Sequence, residues 1–302
     1  MSEEVSKLVI ASGDRIMSRA LGDEGTPTTD AWQVSSPIPG ARIINTWQIY
    51  NNIWLALTVT ENGHYCIYRT INLQKYILVH DHATRIFNIF YVDDGHVLFS
   101  ADDGWWATTD TGQSWSGLSL GTIPYVKATA VIGLEENLWA LIAYGQDHKI
   151  YYCEYPGSTW EEAYDTNTLW ADKWYPALAG CVVGVLAGAG NRLLRSDRVG
   201  EPDSWYTLQE VDGIIKSIII SNQSNNPTFL IVVEQINSEE IDKLYWTYDM
   251  GDSIVADLNR SSPVAAVQSV TPTGTGEMST AFVVLGRRAP GEAAKLQIIQ
   301  DE

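Results

Sequence analysis

Three tryptophans, Trp115, Trp160 and Trp205, stand at intervals of 45 residues. Each follows a serine or threonine, in GQSW, GSTW and PDSW. The rhythm extends in both directions. Tyr76 lies 39 residues before Trp115 and Trp32 another 44 before that, while Ile254, in TYDMGDSI, lies 49 residues after Trp205. A unit recurring at this period is one supersecondary element that cannot bury its apolar face alone and must stack on its neighbours.

Each period is filled by short runs rich in Val, Ile, Tyr and Trp. Before Trp160 come KATAVIGL, NLWALIAYG and KIYYCEY; before Ile254 come KSIIISN, TFLIVVEQ and KLYWTYD. Gly, Asn, Asp and Pro break the runs, as turns between strands require. No stretch keeps a helical period over a useful length. Four short strands per period predict an all-β fold, a β-propeller of four-stranded antiparallel blades. ARIINTWQIYNNIWLAL aligns without gaps on TRIFNIFYVDDGHVLFS at an offset of 43, placing Arg42 on Arg85, Ile43 on Ile86 and Asn45 on Asn88. Blades are expected over 1-38, 41-80, 84-120, 126-165, 175-210, 213-258 and 263-300, within one domain spanning 1-302. Seven blades follow, the terminal two incomplete. Six is the alternative, with the C-terminal strands completing the first sheet and hiding both edges.

The best-formed repeat, TTDTGQSW at 108–115, reads as the tight turn between the third and fourth strands of a blade. Asp110 supplies a carboxylate to backbone N–H groups that lack a strand partner. Gly112 accepts a positive φ that other residues resist. Thr108 and Ser114 offer hydroxyls to the flanking backbone, and Trp115 folds under the hairpin into the wedge between sheets. A second copy has Thr247, Asp249, Gly251 and Ser253, with Ile254 replacing the tryptophan. CEYPGSTW keeps Gly157, Thr159 and Trp160 but has Tyr155 where the aspartate belongs. SRALGDEGTPTTDAW and RSDRVGEPDSW are stretched, and INLQKY is barely recognisable. The pattern, [Ser/Thr]-x-Asp-x-Gly-x-[Ser/Thr]-Trp, resembles the Asp-box or BNR repeat of sialidase-like and sortilin-like propellers. The resemblance implies that Asp110 and Asp249 anchor turns away from the ligand face and take no part in catalysis.

The sialidases of that group also carry an Arg-Ile-Pro motif, an arginine cluster and a Tyr/Glu pair. Here ARI at 41–43 continues with Ile44, and Glu154 beside Tyr155 falls inside a degenerate turn. No catalytic residue, metal site or cofactor is therefore assigned. A glycosidase of another type needs two facing carboxylates at a set distance, which 37 acidic residues leave unspecified. The expected function is a non-catalytic interaction platform, a structural or adaptor subunit of a large assembly such as a virus particle (phage tail or capsid). The alternative is a carbohydrate-binding module or glycoside hydrolase of the Asp-box type.

The candidate contact residues are Arg42, Arg85, Lys127 and Lys216, each placed at the start of an innermost strand. Together they would form a basic collar that attracts an anionic glycan or an acidic segment of a protein partner. The plainer reading is that each caps a strand end and pairs with a nearby acid such as Asp81, Asp93 or Glu135. Trp105 and Trp106 sit on opposite faces of one strand, so one is core and Trp106 is a candidate exposed aromatic. His80 and His82, in VHDHAT, share a strand face but lack a third ligand, and solvated loop histidines are expected. GVLAGAGN at 184–191 has no following helix and is read as a close-packed strand of small residues, not a phosphate loop.

The formal net charge of −18 argues against nucleic acid as a partner. No run approaches the ~20 apolar residues of a membrane helix, so no membrane insertion is expected. MSEEVSKLVI lacks the basic start of a secretory signal, which predicts cytoplasmic synthesis, with lysis as the route into a virion. Three scattered cysteines suggest buried thiols.

Overall fold

The computed structural model describes residues 7–20, 31–38, 40–50, 53–93, 95–121, 123, 126–136, 138–167, 175–220, 227–235, 242–257, 264–270, 281–286 and 296–300. The repeat ending at Trp32 falls largely on 21–30, outside the described residues.

Among the described residues the elements, in chain order, are β-strands, and each sheet is an antiparallel meander of strands consecutive in sequence. The first sheet holds β1 (Lys7–Ser12), β2 (Arg15–Ala20) and β3 (Gln33–Val34). The second holds β4 (Ala41–Tyr50), β5 (Ile53–Thr60), β6 (Tyr65–Thr70) and β7 (Ile77–His82). The third holds β8 (Ile86–Asp93), β9 (His96–Ala101), β10 (Gly104–Thr108) and β11 (Ser116–Leu118). The fourth holds β12 (Val126–Glu135), β13 (Leu138–Gly145), β14 (Lys149–Tyr155) and β15 (Glu161–Asp165). The fifth holds β16 (Ala177–Cys181), β17 (Gly184–Ala189), β18 (Arg192–Ser196) and β19 (Trp205–Glu210). The sixth holds β20 (Ile214–Ile220), β21 (Phe229–Glu234), β22 (Asp242–Thr247) and β23 (Val255–Asp257). The last holds β24 (Val264–Val270), β25 (Ala281–Gly286) and β26 (Leu296–Gln300). Among the described residues, five sheets thus have four strands and the two terminal ones have three.

By its internal contacts the chain divides into two compact units, 1–122 with 272–274, and 123–271 with 275–302. The first three sheets lie in the former and the other four in the latter.

Burial explains why each period carries a nearly continuous apolar run. The second strand of a sheet is covered on both faces, so LWALIAYG in β13 and GVLAGA in β17 are buried almost throughout. This is the pattern of a strand with packing on either side, not the alternation of a half-solvated one. Outer strands are short and exposed, as in β3 and β11. The cores lie between consecutive sheets. Leu55, Leu57 and Ile67 of the second sheet meet Ile86, Val97 and Phe99 of the third. Ile142 and Tyr144 of the fourth meet Val185 and Leu194 of the fifth, whose Leu186 and Leu193 meet Ile215 and Phe229 of the sixth. The small residues of β17 permit close approach: a Cβ on Gly188 would stand 2.5 Å from Ile215 Cγ2. A turn and β18 follow this strand, not a helix.

Two irregularities recur. The first strand of five sheets carries a bulge near its start, at Ile44, Phe87, Lys127, Lys216 and Ala265. The fourth strand of three sheets carries another, at Val79, Ala163 and Leu208. These last three side chains turn back onto the inter-sheet cores. A bulge inserts one unpaired residue and bends its strand.

Candidate functional site

The corner at 108–115 is closed by one carboxylate. Asp110 Oδ1 accepts the backbone N–H groups of Gln113 at 2.8 Å and Ser114 at 2.9 Å, and Oδ2 accepts the Ser114 hydroxyl at 2.6 Å. The Thr108 hydroxyl donates to Asp110 and accepts the N–H of Gly112 at 3.2 Å. Burial pushes the Asp110 carboxyl up, but these donors outweigh it and hold the group down at about 2. The corner at 247–253 repeats the arrangement, with Ser253 N–H on Asp249 Oδ1 at 2.9 Å and Gly251 N–H on the Thr247 hydroxyl at 2.7 Å.

The chain runs through the left-handed region at two successive residues of each corner, Thr111 and Gly112 in one and Met250 and Gly251 in the other. Val199 and Gly200 do the same in the fifth sheet, where the Ser196 hydroxyl accepts the Gly200 N–H at 2.9 Å. That corner keeps its geometry without the aspartate. In the second sheet Asn72 substitutes for it, accepting the N–H of Gln74 at 3.1 Å, with Leu73 at positive φ. At 154–158 a different closure is used, with Ser158 N–H on the Glu154 carbonyl at 3.0 Å.

Every such glycine faces the preceding sheet. A Cβ on Gly112 would meet Leu55 at 3.0 Å, on Gly200 Ile142 at 2.7 Å, and on Gly251 Leu208 at 2.8 Å. Two arginines complete the contact, and sequence reasoning missed both. Arg69 Nε donates to the Thr111 carbonyl at 3.0 Å. Arg195 reaches the Met250 carbonyl at 3.5 Å and Asp252 at 3.0 Å. Each arginine immediately precedes the hydroxyl residue of its own sheet's corner, Thr70 or Ser196. The dipeptides Arg-Thr at 69–70 and Arg-Ser at 195–196 were the available signal. The corner glycines and the carbonyls of Thr111 and Met250 thus hold neighbouring sheets together.

The four basic candidates do not share one register. Lys127 and Lys216 are the bulged residues of β12 and β20, whereas Arg42 and Arg85 stand two positions before the bulges at Ile44 and Phe87. Lys216 is already paired, 3.3 Å from the buried carboxylate of Asp242. Its partner is none of the acids considered from sequence. Arg42 and Arg85 are exposed, Arg85 lies 5.1 Å above the Phe87 ring, and neither forms an ion pair among the described residues. Ile44, 43% exposed, adds an apolar side chain beside Arg42 on the same strand.

The histidines differ from the expectation. Both lie on β7, His82 is buried and His80 half-buried. Trp105 is buried as expected, but Trp106 is packed against Phe99 at 5.8 Å with nearly parallel rings and does not stand clear as a stacking platform. The three cysteines are buried free thiols. Among the described residues, no His, Cys, Asp and Glu side chains group as a metal site, and no helix is long and apolar enough to cross a membrane.

No protein-family model matches the chain, and no curated protein matches its sequence. Solved structures do match. YCF48 bound to D1 peptide superposes with a TM-score of 0.61 at 11% identity, covering 95% of this chain and 92% of that one. BBS1N in complex with ARL6DN gives 0.64 at 14%, covering 98% and 87%. A chain of the mitotic checkpoint complex gives 0.60 at 12%, covering 99% and 85%. At such identities the likeness shows the fold alone. The fold is all-β, a β-propeller built from antiparallel sheets.

Proposed function

We propose that this chain is a non-catalytic interaction platform built on propeller sheets. Its corners are Asp-box repeats used as structural joints. It binds a protein partner through the inner-strand starts of the second and third sheets, where Arg42 and Arg85 recognise an acidic or carboxylate-bearing segment.

The observation that carries this reading is the pair of exposed guanidinium groups that form no ion pair among the described residues, on a chain with 37 acidic and 19 basic residues. An excess of acids makes an unpartnered arginine unusual, and a local positive spot on an acidic body steers an anionic segment to one place. Propellers that resemble this chain occur in complexes with a peptide and with ARL6DN, which supports a protein partner. Trp106, half-buried with its ring against Phe99, adds no support to the glycan reading. A virus particle as the setting has no support in the fold or the likenesses, and the proposal does not include it.

The test is fluorescence anisotropy with a labelled Glu-rich peptide at low salt. Arg42→Glu combined with Arg85→Glu is expected to weaken binding at least tenfold, about 1.4 kcal/mol or more. Lys216→Gln, which removes a paired charge, should change it far less. Equal binding by the double variant overturns the assignment. Hydrolysis of a chromogenic glycoside that one carboxylate substitution abolishes would make the protein an enzyme and end the platform reading.

A further inference from the structure

A hydrogen-bonded chain of three titratable groups crosses the seam between the second and third sheets. His80 Nε2 lies 3.2 Å from His82 Nδ1, and His82 Nε2 lies 2.9 Å from Oδ1 of Asp103, in the turn between β9 and β10. His82 is only 5% exposed. Around His80 stand the rings of Phe99, Trp106 and Trp115 from the third sheet, with centroids 5.3, 5.2 and 6.2 Å away.

The proton positions follow from the partners. An ionised carboxylate only accepts, so His82 donates from Nε2 and presents a lone pair at Nδ1. His80 must then donate from Nε2, leaving its own Nδ1 as an acceptor. One added proton enters at His80 Nδ1 with every bond intact. A second proton, on His82 Nδ1, sets N–H against N–H and places two positive charges a hydrogen bond apart.

We propose that His80, His82 and Asp103 form a proton-operated latch on the seam between the second and third sheets, closed while the imidazoles are neutral and released when both are charged. The surroundings offer little relief. The facing residues Phe99, Trp106 and Trp115 carry no charge. Ile67 and Tyr65 of β6 lie opposite His80 and His82 in register. Asp81, between the histidines, turns to the other face, where it bonds His64 at 3.1 Å and Cys66. Asp102 precedes Asp103 in the same exposed turn. Asp103 is therefore the carboxylate in direct contact with the pair.

The His80 imidazole is held below its ordinary value, first by burial and then by the charge of His82, against the pull of Asp81 and Asp103. Burial also pushes Asp103 up, but the bond and charge of His82 outweigh it and hold it below the usual carboxylate value. The sign for His80 is that of a base whose folded-state value is depressed. Its contribution to stability is complete above the unfolded value of 6.5 and is lost as pH falls from there towards the folded value.

Hydrogen exchange on the full chain, corrected for intrinsic rates, tests the latch at about pH 7.5 and about pH 5.5. Segments 77–82 and 97–107 are expected to exchange about tenfold faster at the lower pH, while 184–196, in the other unit, does not change. His80→Phe keeps the ring packing, removes both nitrogens and should abolish the pH effect. A seam indifferent to pH, or equally sensitive in His80→Phe, overturns the proposal. Should that variant fail to fold, imidazole proton titration of the wild type by NMR decides, since the chain has only five histidines. The His80 imidazole should titrate below its ordinary value; a His80 that titrates at or above that value rejects the latch.

Discussion

Asp110 is a surface carboxylate with four donors aimed at it, and that makes it an acid-sensitive joint. Its folded value of about 2 lies below the ordinary 3.8, so the stability it contributes is present above 3.8 and is lost as pH falls through about 2. Thermal unfolding followed from about pH 5 to about pH 2 should therefore show a smaller decline in Asp110→Asn than in the wild type. The same slope in both would remove the carboxylate from the joint. This residue was legible in the sequence, because a turn that leaves successive N–H groups unpaired calls for one acceptor at a fixed offset. The corner at 196–205 was legible only as a stretched copy, since Ser196 and Gly200 achieve the same backbone path with no aspartate at that offset.

Strands show the limit of reading by alignment. The gapless match of ARIIN to TRIFN is physical: in both, the residue before the asparagine is a bulge. The asparagine then satisfies the next backbone N–H, Asn45 to Thr46 at 2.8 Å and Asn88 to Ile89 at 2.9 Å. Asn88→Ala leaves that N–H without its acceptor and should lower stability by about 1 kcal/mol in denaturant unfolding. Asn88→Asp, which keeps an acceptor, should restore most of the loss. No loss in the alanine variant would show that water replaces the carboxamide. The four basic residues were placed at one register because charge was aligned, and an inserted residue has no signature in charge. The histidines were misplaced for a related reason. VHDHAT looks polar enough for a loop, yet its imidazoles pack against rings 17 to 35 residues further along the chain.

At the scale of the whole chain the excess of acids dominates. With a formal net charge of −18, like charges oppose compaction at low ionic strength. Raising salt from about 0.01 M to about 0.15 M shortens the screening length from about 30 Å to about 8 Å and is expected to raise the Tm by a few degrees. A Tm that falls instead would show that specific ion pairs, such as those of Arg195, outweigh the general repulsion. The repeat rhythm disclosed the sheets because every second strand must be apolar on both faces. The seams between sheets stayed hidden, since they are made by residues about 40 to 55 positions apart that no local pattern connects, such as Arg69 with Thr111 and Arg195 with Met250.

The arginine contacts also have a direction. Each runs from one sheet forward to the corner of the sheet after it, so a corner is finished only by its predecessor. A designer who excised the second or fifth sheet alone would strand a guanidinium, and one who excised the third or sixth alone would leave a carbonyl uncapped. The smallest portable piece of this chain is therefore a matched pair of neighbours, joined by the arginine between them.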